Sequence, residues 1–218
     1  MTSHALRHAK VTLALHELRG GKGRALLLLH GLGERSPAAI PPRACSWAGP
    51  AFALDFTGHG ESTIPRGGGY SAEVLMADAD AALARLGSAT VLGRGLGAYV
   101  ALLLAGARPR QVRGAILCDG PGLAGGGSRP GSPTVIVPWL GGRRHAPPDP
   151  FALAELARDL RPPDYAVSFL RQATQLSGLV RPISVCAVER PEWLRAVVAA
   201  PEVEETPLEA ALAYYGSP

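Results

Sequence analysis

The sequence predicts an α/β fold, with a mostly parallel central sheet and helices on both faces. Three observations carry this. Short, continuous apolar runs recur at RALLLL (24–29), AFALDF (51–56), ATVL (89–92) and GAILCD (114–119), and strands apolar throughout are buried on both sides, as in parallel sheets. Helical segments stand between several of these runs, which is the pattern of βαβ units. Glycine-rich turns follow three of the strands, at HGLGE, TGHGES and GRGLG.

Taken in order, residues 10–18 (KVTLALHEL) alternate apolar and polar, as a half-exposed edge strand does. The strand at 24–29 breaks at HGLGE, and the strand at 51–56 runs into TGHGES. Residues 71–86 carry apolar side chains at 74, 75, 79, 82, 83 and 86, with Ser71 placed to cap the start and Gly87 beyond the end. That is a helix. A strand at 89–92, a buried helix at 96–106 and a strand at 114–119 follow. Residues 120–150 are rich in Gly and Pro and read as a long connection, with a short strand at TVIV (134–137). Helices are expected at 151–160 and 163–177, a last strand at 183–188 (ISVCAV), then helices at 191–199 and 207–215. No repeat or linker divides the chain, so residues 1–218 form one domain.

Composition narrows the function classes. The 218 residues are 47% hydrophobic and 18% charged, with a net charge of +4, which is globular rather than disordered. Only Lys10 and Lys22 are lysines. The arginines are scattered and do not interleave with aromatic residues, so they read as solvated surface and exclude a nucleic-acid partner. Cys45, Cys118 and Cys186 are far apart, and the last two sit in apolar runs; buried, reduced thiols are expected. With no CxxC pair, neither a zinc site nor a redox couple is predicted, and no cofactor or metal. The N-terminus alternates and is charged, unlike a secretory signal. The apolar stretch 96–107 is too short to span a bilayer. A cytoplasmic protein with no membrane attachment is expected.

Three motifs occur in a fixed order. His30-Gly31 directly follows a buried strand. Asp55-x-x-Gly58-x-Gly60-x-Ser62 follows the next. Gly93-x-Gly95-x-Gly97 lies between a strand and a helix. Each is weak alone. Together, with the helix at 71–86 between the second and third, they resemble the α/β-hydrolase fold family, from about residue 10 to residue 215. The resemblance implies a lid reduced to a region within about 120–180. It also implies a pocket above the carboxyl ends of the strands, lined by Leu32, Gly95, Leu96, Asp119 and Gly120. The backbone N–H groups of Leu32 and Leu96 would form the oxyanion hole, with His30, Gly31 and Arg94 at the pocket edge.

The catalytic parts depart from the family. Its nucleophile elbow reads Gly-x-Ser-x-Gly; here Gly95 stands at the nucleophile position, with no side-chain atom to attack a carbonyl. The acid would follow the strand at 183–188, where the text is Glu189-Arg190-Pro191-Glu192. Glu189 or Glu192 could serve, or Asp119 in the position that some members use, after the preceding strand. The base is a histidine near the C-terminus. The six histidines are 4, 8, 16, 30, 59 and 145, so none follows residue 145; Glu204 and Glu205 stand near the expected place, and neither has the pKa of a general base for serine.

Two readings follow. In the first, the chain keeps the scaffold without serine-hydrolase catalysis and binds a small acyl or carbonyl ligand, or a protein partner through the 120–150 connection. In the second, it hydrolyses small esters or related acyl compounds with a non-standard set around His30, Asp119 and the oxyanion hole, with Asp55, His59 or a Cys118 thiol contributing. Against the second, His30 reads as a hydrogen-bonded structural residue, His59 as a surface histidine, Cys118 as an inert buried thiol and His145 as part of an exposed basic turn. Arg94 either holds an anionic ligand near the helix N-terminus or pairs with Asp119 or a loop carboxylate. Oligomeric state is not set by the sequence.

Overall fold

The computed structural model describes residues 2–126 and 147–216. Along the chain run β1 (Thr2–His8), β2 (Val11–Arg19), β3 (Ala25–Leu29), β4 (Ala51–Asp55), α1 (Ala72–Leu86), β5 (Ala89–Arg94), α2 (Leu96–Ala107) and β6 (Val112–Cys118). Then come α3 (Pro150–Arg158), α4 (Pro163–Leu176), β7 (Ile183–Val185), α5 (Glu192–Val198), β8 (Val203–Glu205) and α6 (Leu208–Gly216). Among the described residues the strands form one sheet of eight, ordered β1-β2-β4-β3-β5-β6-β7-β8. β2 pairs antiparallel with both β1 and β4, and every other pairing is parallel.

Alternation along β3 divides the core into two layers, because successive side chains of a strand face opposite sides. Leu27 and Leu29 join Leu54, Val91 and Leu117 beneath α1, α2, α4 and α5. Leu26 and Leu28 face the other way, with Leu92, Ile116, Trp47 and the α6 residues Ala211, Leu212 and Tyr215. The α/β-hydrolase arrangement expected from the motifs is thus present, with helices on both faces. α2 has no polar stripe, since every residue from Leu96 to Gly106 is buried. α1 starts where expected: Ser71 Oγ accepts from the Val74 N–H at 3.4 Å, and the Gly87 N–H closes the other end on Leu83 O at 2.9 Å.

Two strands depart from the expectation. β1 is a mostly exposed edge strand held by pairing to β2 in full register from Thr2 to His8, so it leaves little apolar signal. β8 is three residues long (VEE) and pairs parallel with β7; the strand at 183–185 is therefore not the last. Within the region expected as a lid, α4 buries Ala166, Leu170 and Ala173 in the same core as α2. The strand expected at 134–137 and His145 lie outside the described residues. Among the described residues, no helix is long and apolar enough to cross a membrane.

Candidate functional site

The motifs converge at the carboxyl ends of β3, β4, β5 and β6. β5 ends in Arg94, and Gly95 makes the turn into α2 with φ 58° and ψ −122°. This left-handed conformation is strained for any residue with a Cβ. There is also no room for one: a Cβ on Gly95 would lie 2.1 Å from Pro121 O and 2.6 Å from Gly120 C. The space above the turn is filled by the segment that leaves β6, Asp119-Gly120-Pro121-Gly122-Leu123.

The same segment engages the two backbone donors singled out from the sequence. The Leu32 N–H and the Leu96 N–H both donate to Pro121 O, each at 2.9 Å. Leu32 and Leu96 are thus brought together on a single oxygen, and that oxygen belongs to the chain. Gly95 N–H donates to Cys118 O at 3.0 Å.

Several long-range contacts hold the segment down. Asp119 accepts from the Val188 N–H at 2.6 Å and the Glu189 N–H at 3.0 Å. Trp193 Nε1 donates to Leu123 O at 2.9 Å. Arg161, 5% exposed, donates through Nη1 to both Gly122 O and Leu123 O, and its guanidinium lies 4.9 Å from the centre of the Tyr99 ring. Burial pulls this guanidinium down to about 10, still cationic at neutral pH. Replacing Asp119 by alanine removes both acceptors while leaving the donors in place; we expect a loss of about 1–2 kcal/mol, read by urea denaturation, with faster hydrogen exchange at the amides of Val188 and Glu189. Unchanged exchange at those amides would count against this clamp.

His30 is buried and both of its ring nitrogens are in use. Nδ1 lies 2.7 Å from Gly31 O, and Nε2 accepts from the Phe56 N–H at 3.1 Å, which assigns the proton to Nδ1. Burial first, and then the neighbouring His59, lower its pKa to about 4, so it is neutral at pH 7. His59 is not the surface residue that its glycine-rich turn suggests. It is 0% exposed, its ring centre is 5.0 Å from that of His30, and its Nε2 accepts from the Gly33 N–H at 3.3 Å. The turn folds inward beneath the His30-Gly31 loop, and burial lowers the His59 pKa as well.

Asp55 lies below this pair of rings. It accepts from the Ser36 N–H at 2.7 Å, the Glu61 N–H at 2.8 Å and His16 Nε2 at 3.0 Å. Burial pushes its carboxyl up, but the bonds from Glu61, Ser36 and His16 outweigh that and hold it below its ordinary value. His16 on β2, which no motif singled out, is thus part of the support.

Of the alternatives left open for Arg94, the structure has the loop carboxylate: Nη1 is 2.8 Å from Glu34 Oε1. Glu34 Oε2 in turn accepts from the Gly31 N–H at 2.9 Å. The other carboxylates considered for the acid or base role are engaged elsewhere or exposed. Glu204 pairs with Arg181 and Glu205 with Arg190, Glu189 is exposed, and Glu192 is exposed in the first turn of α5. Beside the site, a cavity of about 220 Å³ opens between β3, β5 and the 34–41 loop, lined by Leu28, His30, Pro37, Pro41, Leu92 and Arg94. It contains His30 and Arg94 from the predicted set, while Leu32, Leu96 and Asp119 lie under or in the 119–123 segment. Among the described residues, no three His, Cys, Asp or Glu side chains are grouped to hold a metal ion.

A model of the alpha/beta hydrolase family matches residues 26–216. The chain belongs to the alpha/beta hydrolase family. Solved structures agree at the level of fold. The haloalkane dehalogenase DatA of Agrobacterium tumefaciens C58 is 18% identical, with a TM-score of 0.66, over 98% of this chain and 97% of that one. The haloalkane dehalogenase DbeA-M1 loop variant from Bradyrhizobium elkanii is 17% identical, with a TM-score of 0.65, over 99% and 93%. A thioesterase domain from the curacin biosynthetic pathway is 16% identical, with a TM-score of 0.63, over 99% and 98%. No curated protein matches the chain in sequence. In this alpha/beta hydrolase the turn from β5 into α2 has Gly95 at its apex, and the carbonyl of Pro121 lies over it.

Proposed function

We propose that this alpha/beta hydrolase binds a small acyl or carboxylate ligand and does not turn it over. The observation that carries this reading is the pair of hydrogen bonds from Leu32 and Leu96 to Pro121 O. An oxyanion hole works by offering unspent donors to charge that develops in the transition state. Here a substrate would first have to expel the Pro121 carbonyl, in a segment held down by Asp119, Arg161 and Trp193. Gly95 offers no nucleophile, and no histidine follows residue 145.

The ligand site in this reading is the cavity of about 220 Å³, smaller than the ~300–1,000 Å³ of drug-sized pockets. Leu28, Leu92, Pro37 and Pro41 give apolar walls for a short chain. Arg94 gives a cation at the rim, with guanidinium donors beyond the one spent on Glu34. The competing reading, a hydrolase built around His30 and Asp119, is weakened by geometry: both nitrogens of His30 and both oxygens of Asp119 already hold backbone groups.

The test pairs turnover with binding. Short p-nitrophenyl esters are incubated across pH with the wild type and with Gly95→Ala and Asp119→Asn. We expect no rate above buffer from any of them. Calorimetry with butyrate and hexanoate should show binding by the wild type, weakened roughly tenfold by Arg94→Gln. A clear esterase rate abolished by Asp119→Asn overturns the proposal. Absence of binding by both acids removes the ligand class.

A further inference from the structure

We propose that Cys118 and Cys186 are a peroxide-sensitive dithiol that closes to a disulfide between neighbouring parallel strands. The two cysteines are far apart in sequence, and only the sheet brings them together. β6 and β7 pair in the register Ala115↔Ile183, Ile116↔Ser184, Leu117↔Val185. Carried one residue further, this register sets Cys118, the last residue of β6, beside Cys186. The strands stay joined at that point, since the Cys186 N–H donates to Leu117 O at 2.8 Å.

Register neighbours on adjacent strands point to the same face. Accordingly, both thiols belong to the layer beneath α6, with Ile116, Leu92 and Tyr215, and they interact directly. Strands lie ~4.8 Å apart, within the ~4.4–6.8 Å between Cα atoms that a disulfide needs. All three cysteines are free, with Cys45 exposed, Cys118 buried and Cys186 between the two.

The surroundings distinguish the two sulfurs. The Cys118 thiol is drawn below its ordinary value, chiefly by the hydrogen bond from the Cys186 thiol; burial opposes this, and the guanidinium groups of Arg43 and Arg94 assist it. Cys186, as the donor in that bond, is pushed up. In the proposed sequence Cys118 reacts first and Cys186 resolves.

The chemistry balances with hydrogen peroxide as oxidant. The Cys118 thiolate attacks one peroxide oxygen and the O–O bond breaks, giving a sulfenic acid on Cys118 and hydroxide, which takes a proton to become water. The Cys186 sulfur then attacks the Cys118 sulfur. The S–O bond breaks, and the hydroxyl leaves as water with the proton from Cys186. Two thiols are oxidised by two electrons, and one peroxide is reduced to two waters. The new bond would tie β6 to β7 immediately before Asp119, where the segment over Gly95 begins.

The experiment treats the full-length protein with a small excess of hydrogen peroxide and follows intact mass and peptide linkage. The expected product is lighter by two hydrogen atoms, with Cys118 and Cys186 in one cross-linked pair. Thiols titrated after denaturation should fall from three to one, and dithiothreitol should restore them. The oxidised form should melt higher by roughly 5–10 °C, because the bond closes a long loop. Cys45→Ser should leave the reaction unchanged, while Cys118→Ser and Cys186→Ser should each abolish the cross-link. Oxygen adducts on separate cysteines, a link involving Cys45, or an unchanged mass would each overturn the proposal. The wild-type mass measurement decides it even if a serine variant folds poorly.

Discussion

Placing a serine at the turn with Gly95→Ser should destabilise this protein and should not make it an esterase. The turn at φ 58°, ψ −122° costs a residue with a Cβ on the order of 1–3 kcal/mol. Placing that Cβ 2.1 Å from Pro121 O forces the 119–123 segment to move, and overpacking of this kind adds about 1–3 kcal/mol. The melting temperature should fall by roughly 5–15 °C for a chain of this size. Gly87→Ser is the comparison. Gly87 also has a positive φ, of 77°, but nothing lies within 4 Å of a Cβ built on it. It should show only the backbone part of the loss. If the two variants melt alike, Pro121 does not press on the elbow as described. If Gly95→Ser instead melts like the wild type and hydrolyses p-nitrophenyl esters, the segment yields easily and some other group supplies the base, against the binding-only reading.

What was legible in the sequence follows from how each feature is encoded. The strands and helices between residues 25 and 118 were readable because burial on both sheet faces leaves unbroken apolar runs, and because Ser71 and Gly87 mark the ends of α1 locally. The tight turn between β5 and α2 was readable from the spacing of Gly93, Gly95 and Gly97. β1 and β8 were not, because edge strands held by pairing carry little hydrophobic signal. The contacts that define the site were also hidden. Pro121 reaches Leu32 and Leu96 only because β6 lies beside β5, and a proline carbonyl has no sequence signature as an acceptor. Arg94 could have met Asp119 or a loop carboxylate, and only the loop's path decides for Glu34. His59 sits among glycines and polar residues that look like surface, yet the turn packs inward against His30. Cys118 and Cys186 lack a CxxC spacing and meet only through the sheet register.

Acid should unfold this protein through His30 well before its carboxylates are neutralised. His30 has its pKa lowered from an ordinary 6.5 to about 4, first by burial and then by His59. The unfolded chain therefore takes up a proton as pH falls through 6.5, while the folded protein does not until about pH 4. The contribution to stability is complete above pH 6.5, is lost progressively down to about pH 4, and changes no further below that. At ~1.4 kcal/mol for each pH unit, the span amounts to about 3 kcal/mol. His59 is lowered by burial too and acts in the same direction, and two cationic rings 5.0 Å apart would repel. Asp55, held low, adds a loss only at more acidic pH. Asp78 and Asp159 are raised by burial and oppose the trend, since the folded state takes their protons first. The measurement that isolates His30 is urea denaturation between pH 7.5 and 4.5 for the wild type and His30→Gln. Glutamine keeps one donor for Gly31 O and one acceptor for the Phe56 N–H, but it does not titrate. The variant should be less stable at pH 7.5 and lose less on acidification, so the gap between the two proteins narrows by about 2–3 kcal/mol at the acid end. A constant gap across the range would mean that His30 is not held neutral by its surroundings. A buried structural role for His30, with no free nitrogen for catalysis, would then be ruled out as well.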